Sequence, residues 1–242
     1  MQVLWLFIAG LMLNWNTALT KISMSPSTAE LEYLLRKPTV DVANSPVLIL
    51  LHGFGSNEQD MFSFANQIPG NWLVVSARGP FRQGENRHSW YNVKMVNGKI
   101  TIDFQEEEQS RQKILGLIDH LVDTFKVDKK KVVLAGFSQG AAMSLCTGLT
   151  EPEKVAAFAM FSGRFVAEIE PQISRSPALN KLRSFIAHGS NDTMLPIQYA
   201  AENKAKLEQL GIPVLYSEDI TGHNISTKQF TDFLHWLRRL SQ

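Results

Sequence analysis

Lys131–Cys146 reads KVVLAGFSQGAAMSLC. An apolar run, KVVLAG, meets a helix-forming run, AAMSLC, and between them lies Gly136-Phe137-Ser138-Gln139-Gly140. This is a G-x-S-x-G pattern in the context that a nucleophile elbow needs, with a strand before it and a helix after it. Such a turn crowds the backbone, so glycines flank it, and the serine is thrust out at the C-terminal edge of a sheet. The helix N-terminus beside the serine favours developing negative charge. Three fixed letters in five are a weak signal alone, and a Gly/Ser-rich helix start without chemistry would read the same. The rest of the chain decides between the two.

Working outward, five more segments read as strands: Pro46–Leu51, Trp72–Ala77, Val155–Gly163, Arg183–Gly189 and Val214–Glu218. Most are continuous apolar runs without alternation, the pattern of strands covered on both faces of a parallel sheet. Glu32–Lys37 adds a candidate edge strand. Between the runs, Gln105–Phe125 carries Ile114, Leu117, Ile118, Leu121, Val122 and Phe125 at helical spacing, one stripe for the sheet. Ile197–Leu210, ended by Gly211 and Pro213, is a second helix, and Ser226–Leu240 a third. The alternation predicts an α/β fold, a mostly parallel central sheet with helices on both faces. One stretch breaks it: Gly79–Thr101 is long and polar, carries Trp90 and Tyr91, and has NGK at 97–99 to turn a small hairpin.

A serine hydroxyl is a poor nucleophile until a base takes its proton. The six histidines are His52, His88, His120, His188, His223 and His235. His120 and His235 fall within surface-type helical segments. His223 lies in DITGHNIS, a polar loop after the last strand, from which it can lean over Ser138. The base needs a carboxylate to set its tautomer. Asp192, in HGSNDTMLP after the strand FIAHG, precedes His223 and completes the chain order Ser, Asp, His. Asp219 is nearer in sequence but too close along the strand end to orient the ring. His188 reads as a loop anchor. An oxyanion needs preorganised N–H donors. Gln139, after the nucleophile, supplies one backbone amide. The loop His52-Gly53-Phe54-Gly55-Ser56 supplies the other, from Phe54 with Gly55 as runner-up, while His52 braces the loop.

With these residues assembled, the sequence resembles the phospholipase/carboxylesterase family of α/β-hydrolases, which includes acyl-protein thioesterases and small bacterial carboxylesterases. The matching stretches are LLHGFGSNEQD, SARGP, HSWYN, GFSQGAAMSL, FSGRF, HGSNDTMLP and TGHNIS, spanning about Leu50 to Ser226. The resemblance implies an α/β-hydrolase fold without a large cap domain, the triad Ser138, Asp192 and His223, and the amides of Phe54 and Gln139 as the oxyanion hole. It implies a cofactor-free hydrolase of small-molecule carboxylic esters acting through an acyl-enzyme; with no large lid sequence visible, short or medium acyl groups are expected. Thioesters and lysophospholipids are the alternatives, and a non-catalytic binding protein on the same scaffold is the alternative of another class. It also brings Trp90 and Met194 to the substrate. Phe54 stands where family members often carry an aliphatic residue, a change that keeps the backbone donor and reshapes the pocket.

The 242 residues suffice for one well-buried core and are short for two full domains; residues 31–242 are read as one catalytic domain. Lys and Arg total 24 against 23 Asp and Glu, a net charge of +1. With its densest basic run only KVDKKK at 126–131, the chain lacks the footprint of a nucleic-acid binder. The single cysteine, Cys146, cannot form an internal disulfide and reads as a small buried hydrophobe. No Cys/His cluster has zinc spacing, so no metal is expected. Val3–Leu13, VLWLFIAGLML, is too short to span a bilayer and fits the core of an export signal, although Gln2 sits where a positive charge belongs. Residues 1–20 are therefore expected to be a cleaved signal and 21–30 a flexible join. That places the mature protein in the periplasm or outside the cell, without a stable membrane span. A cytoplasmic location, or membrane association through the apolar segment, is the alternative.

Overall fold

The computed structural model describes residues 31–96 and 99–240, so the expected signal and join at residues 1–30 lie outside the described residues. The chain runs β1 (Tyr33–Arg36), β2 (Val47–Leu51), α1 (Glu58–Phe62), β3 (Leu73–Ala77), β4 (Phe81–Gly84), β5 (Arg87–Ser89), β6 (Val93–Val96) and β7 (Lys99–Ile102). It continues through α2 (Phe104–Phe125), β8 (Val132–Phe137), α3 (Gln139–Thr150), β9 (Ala157–Phe161), β10 (Arg183–Gly189), α4 (Gln198–Gln209), β11 (Val214–Asp219) and α5 (Thr227–Leu240). Seven strands form one sheet in the order β1-β3-β2-β8-β9-β10-β11. Only β1 runs antiparallel to its neighbour; the other pairs are parallel.

The continuous apolar runs have a direct cause. In β2, Val47, Ile49 and Leu51 enter one core while Leu48 and Leu50 enter another. Period-2 side chains reach both faces, and both faces are covered. Helices α2, α3 and α4 lie over the first core, with Ile114, Ile118 and Leu121 of α2 fully or almost fully buried. Helices α1 and α5 lie over the second, where α5 buries Phe230, Phe233, Trp236 and Leu237, with Phe233 and Trp236 packed on Phe161 and Phe185 of the sheet. This is the α/β-hydrolase arrangement expected from the sequence, with no large cap domain. Cys146 is fully buried in α3, as a small hydrophobe would be.

Two elements add detail to the sequence reading. Helix α1 spans only five residues, too few to show a periodic stripe. Gly79–Thr101 carries no helix; it folds into two antiparallel pairs, β4–β5 and β6–β7. The turn expected at NGK falls where β6 and β7 meet, but residues 97–98 lie outside the described residues. Among the described residues, no helix is long and apolar enough to cross a membrane.

Candidate active site

The site is built at the C-terminal edge of the sheet, where parallel strands all point their ends the same way. At the end of β8 the chain must reverse into α3 within one residue. Ser138 makes that reversal at φ 54° and ψ −112°, a conformation rarely adopted by a residue with a side chain. Its own N–H is tied to the Phe161 carbonyl of β9 at 2.9 Å. The turn is possible only because its flanks lack side chains. A Cβ on Gly136 would come within 2.1 Å of Gly140 carbonyl atoms, and one on Gly140 within 2.1 Å of the Leu51 carbonyl oxygen. Strain of this kind, held in place by surrounding backbone, aims one side chain outward.

The base loop follows β11 and the acid loop follows β10, and neighbouring parallel strands bring them together. The Asn191 amide donates to the Thr221 carbonyl at 3.0 Å and the Ser190 amide to the Asp219 carbonyl at 2.9 Å. His223 packs its ring on Phe137, 4.9 Å between centroids. Its Nδ1 lies 2.7 Å from Asp192 Oδ2 and its Nε2 3.0 Å from Ser138 Oγ. An acceptor-only carboxylate at Nδ1 assigns the proton to that nitrogen. The Nε2 lone pair is then free to accept from the Ser138 hydroxyl.

Asp192 is buried, yet both its oxygens are used. Oδ1 accepts from the Leu195 amide at 2.8 Å and the Met194 amide at 3.0 Å, and Oδ2 faces His223. Burial pushes the carboxyl up, but the Leu195 amide, His223 and the Met194 amide together bring it below the ordinary carboxylate range. It therefore stays ionised at neutral pH. His188 braces this loop from below, with Nε2 2.7 Å from the Leu195 carbonyl. Asp219 is elsewhere: its Oδ1 accepts from the Ile220 amide.

The amides expected to meet an oxyanion flank the serine. Gln139 is the first residue of α3, where N–H groups have no intrahelical acceptor. Phe54 lies in the loop after β2. That loop is pinned by a pair of backbone bonds to β5, Gly55 N–H to the His88 carbonyl at 2.8 Å and His88 N–H to the Ser56 carbonyl at 2.7 Å. His52 is fully buried; its Nδ1 lies 2.7 Å from the Gly53 carbonyl and its Nε2 accepts from the Gly79 amide at 2.9 Å. Burial lowers its pKa to about 4, so it is a neutral brace.

Trp90 is corrected by the structure. It was expected at the substrate, but it is fully buried and lines neither cleft beside Ser138. Its indole N–H donates to the His52 carbonyl at 2.9 Å, and its backbone N–H to Gln139 Oε1 at 2.8 Å. The aromatic ring in a polar stretch is thus a strut. The Gln139 side chain completes it by donating from Nε2 to the Tyr91 carbonyl at 2.7 Å. That role was missed from the sequence, where only the Gln139 backbone had a use. Met194, also expected at the substrate, is 71% exposed and borders both clefts.

Two clefts meet at Ser138. One, of about 220 Å³, is walled by Tyr91, Val93, Ala142, Arg164 and Leu195; the other, of about 290 Å³, by Gly53, Ser56, Asp60, Met61 and Phe137. Phe54, Met194 and His223 border both. Among the described residues, no group of three or more His, Cys, Asp or Glu side chains is arranged to hold a metal ion.

A family model described as Phospholipase/Carboxylesterase matches residues 39–241. Acyl-protein thioesterase 1 of Kluyveromyces lactis is 25% identical over 177 residues, covering 67% of this chain and 76% of that protein. Carboxylesterase SOBER1 of Arabidopsis thaliana is 26% identical over 207 residues, covering 79% and 89%. Among solved structures, the fold superposes on esterase PE8 with a TM-score of 0.73 at 24% identity, covering 87% of this chain and 99% of that one. On the Bacillus cereus carboxylesterase the TM-score is 0.74 at 20% identity, covering 88% and 96%.

Proposed function

Since this chain belongs to the phospholipase/carboxylesterase family of α/β-hydrolases, we propose that it hydrolyses carboxylic esters through an acyl-enzyme on Ser138. His223 takes the proton from Ser138 Oγ as the oxygen attacks the ester carbonyl. The amides of Phe54 and Gln139 receive the negative charge on the tetrahedral oxygen. Ionised Asp192 stabilises the imidazolium that forms. His223 then returns the proton to the leaving alcohol, and the same ring activates water to free the acid. The observation that carries this reading is the hydrogen-bonded line from Asp192 through His223 to a serine on a strained elbow, at 2.7 and 3.0 Å.

Short or medium acyl groups are the proposed substrates. Both clefts fall below the roughly 300–1,000 Å³ of pockets that enclose drug-sized ligands. Acyl thioesters are the second reading, favoured by relatives that are themselves named acyl-protein thioesterases. The attack and the oxyanion are the same for both bonds.

The test is a kcat/KM series over p-nitrophenyl esters of increasing acyl length and matched acyl thioesters, run on the native protein and on Ser138→Ala. Activity should peak at short or medium chains. Ser138→Ala should cost at least about 10³-fold in kcat. Near-unchanged ester turnover in the folded variant would reject Ser138 as nucleophile, and a steady rise with chain length would reject the size preference.

A further inference from the structure

Arg164 has no part in the mechanism above, yet it walls the same cleft as Ser138. Apart from His223, it is the only ionisable cation on that wall, and no acid lies there. Among the described residues, Arg164 has neither an ion pair nor a hydrogen-bonded acceptor. Its charge nonetheless reaches Tyr91, another wall of this cleft, where it opposes the upward push that burial gives the phenol.

The backbone around Arg164 is fixed with unusual care. Ser162 leaves β9 at φ 48°, with its amide held by the Ala187 carbonyl at 2.9 Å. Gly163 then packs so close to α3 that a Cβ there would fall 2.5 Å from that of Ala141. Asn203 of α4 is buried and holds both flanks of Arg164. Its Nδ2 donates to the Gly163 carbonyl at 2.9 Å, and its Oδ1 accepts from the Phe165 amide at 2.8 Å. A buried amide bonded to the peptide groups on both sides fixes the backbone from which Arg164 projects.

A guanidinium presents a planar fork of donors suited to a carboxylate. In a largely apolar cleft with no acid of its own, that fork is left for the ligand to fill. We propose that Arg164 is a specificity-determining residue that receives a carboxylate carried by the substrate, so that the preferred esters are anionic ones such as half-esters of dicarboxylic acids. This deepens the ester-hydrolase reading and rests on it.

The test compares esters matched in length and differing in charge. One pair carries the carboxylate on the acyl side, mono-p-nitrophenyl glutarate against p-nitrophenyl valerate. A second pair carries it on the alcohol side. The readout is the ratio of kcat/KM for the anionic over the neutral ester, in the native protein, Arg164→Lys and Arg164→Gln. For the pair whose charged arm enters this cleft, the ratio should fall about tenfold or more in Arg164→Gln, the size of a lost charge-assisted hydrogen bond. Arg164→Lys should keep part of it, and added salt should shrink the native ratio. Ratios that are the same in the native protein and Arg164→Gln for both pairs overturn the proposal. Calorimetric titration of monomethyl glutarate and of neutral dimethyl glutarate into Ser138→Ala, with and without Arg164→Gln, separates the two readings. Monomethyl glutarate binding that needs Arg164 supports the anion site even if no ester turns over, whereas equal binding of the anion and the neutral diester overturns it. Absence of turnover on every ester rejects the hydrolase reading instead.

Discussion

Gln139→Glu changes one atom of a side chain that holds two backbone groups, and so reports on whether that hold matters. Gln139 Oε1 accepts from the Trp90 amide at 2.8 Å, and Nε2 donates to the Tyr91 carbonyl at 2.7 Å. The residue is buried, and glutamate has nearly the same shape, so packing is conserved. An ionised glutamate can still accept from Trp90. It has no proton for Tyr91, and it turns a negative oxygen toward that carbonyl. The lost bond removes about 1 kcal/mol, and leaving a buried acceptor unpaired adds about 1–3 kcal/mol, partly offset by the stronger bond to Trp90. The net cost is about 2–3 kcal/mol when the carboxyl is charged.

Protonation restores the missing donor, which makes the cost depend on pH in a definite direction. The folded protein favours the protonated acid, so the variant carboxyl has a folded pKa above its unfolded value of about 4.3. A group of this kind leaves stability intact below the unfolded pKa and removes it as pH rises through the folded one. The deficit relative to the native protein should be about 1 kcal/mol at pH 5 and about 2–3 kcal/mol at pH 8. Urea unfolding of both proteins at both pH values measures it, and subtracting the native curve cancels every other titration. A deficit that is equal at the two pH values, or below about 0.5 kcal/mol at pH 8, refutes the reasoning.

His52 is buried neutral with its pKa lowered to about 4, against about 6.5 when unfolded. The unfolded chain therefore binds more protons in that window, and this residue alone should remove about 3 kcal/mol of stability as pH falls from 6.5 to 4. His52→Gln should flatten that part of the stability profile, and an unchanged slope in denaturant titrations would show that another group drives it. At Ser138 the backbone sits at φ 54°. Ser138→Gly should therefore be more stable than Ser138→Ala by about 1 kcal/mol, since relief of strain outweighs glycine's larger unfolded-state entropy. Calorimetric melting of the two variants checks this, and a glycine variant melting at or below the alanine one would show that the elbow is not strained.

The parts of this molecule legible in its sequence are those governed by local pattern. Strands covered on both faces leave runs such as VLILL, a tight strand-to-helix reversal leaves glycines at 136 and 140, and loops that follow parallel strands must end at one edge. Ser138, Asp192 and His223 all sit in such places, so their meeting follows from fold class and chain order. What could not be read are contacts across long separations. Trp90 and Gln139 are 49 residues apart and bond through one side chain and one backbone amide, an arrangement that leaves no periodicity. An aromatic residue in a polar stretch suits a pocket wall and a buried strut equally well. Only the carbonyl of His52, waiting for the indole N–H, decides for the strut. Arg164 stood within the quoted FSGRF, but its setting could not be read for a similar reason: its backbone is held by Asn203 of α4, far along the chain.

On the ester-hydrolase mechanism proposed above, the strut accounts for how two amides from distant parts of the chain would act as one site. Phe54 belongs to the loop after β2 and Gln139 to the start of α3, and hydrogen bonds stronger in the transition state require that the two not drift apart. Trp90 joins the segments directly, taking the His52 carbonyl with its ring and the Gln139 side chain with its backbone. His52 closes the frame by accepting from Gly79, and the pair of backbone bonds between β5 and residues 55–56 holds the far end of the same loop. The long polar connection from Gly79 to Thr101 therefore does more than line one cleft with Tyr91 and Val93. On the proposed mechanism it would hold the two donors in place before substrate arrives and so remove reorganisation from the step in which charge develops. On the same mechanism, a residue lining neither cleft would still bear on the chemistry at Ser138.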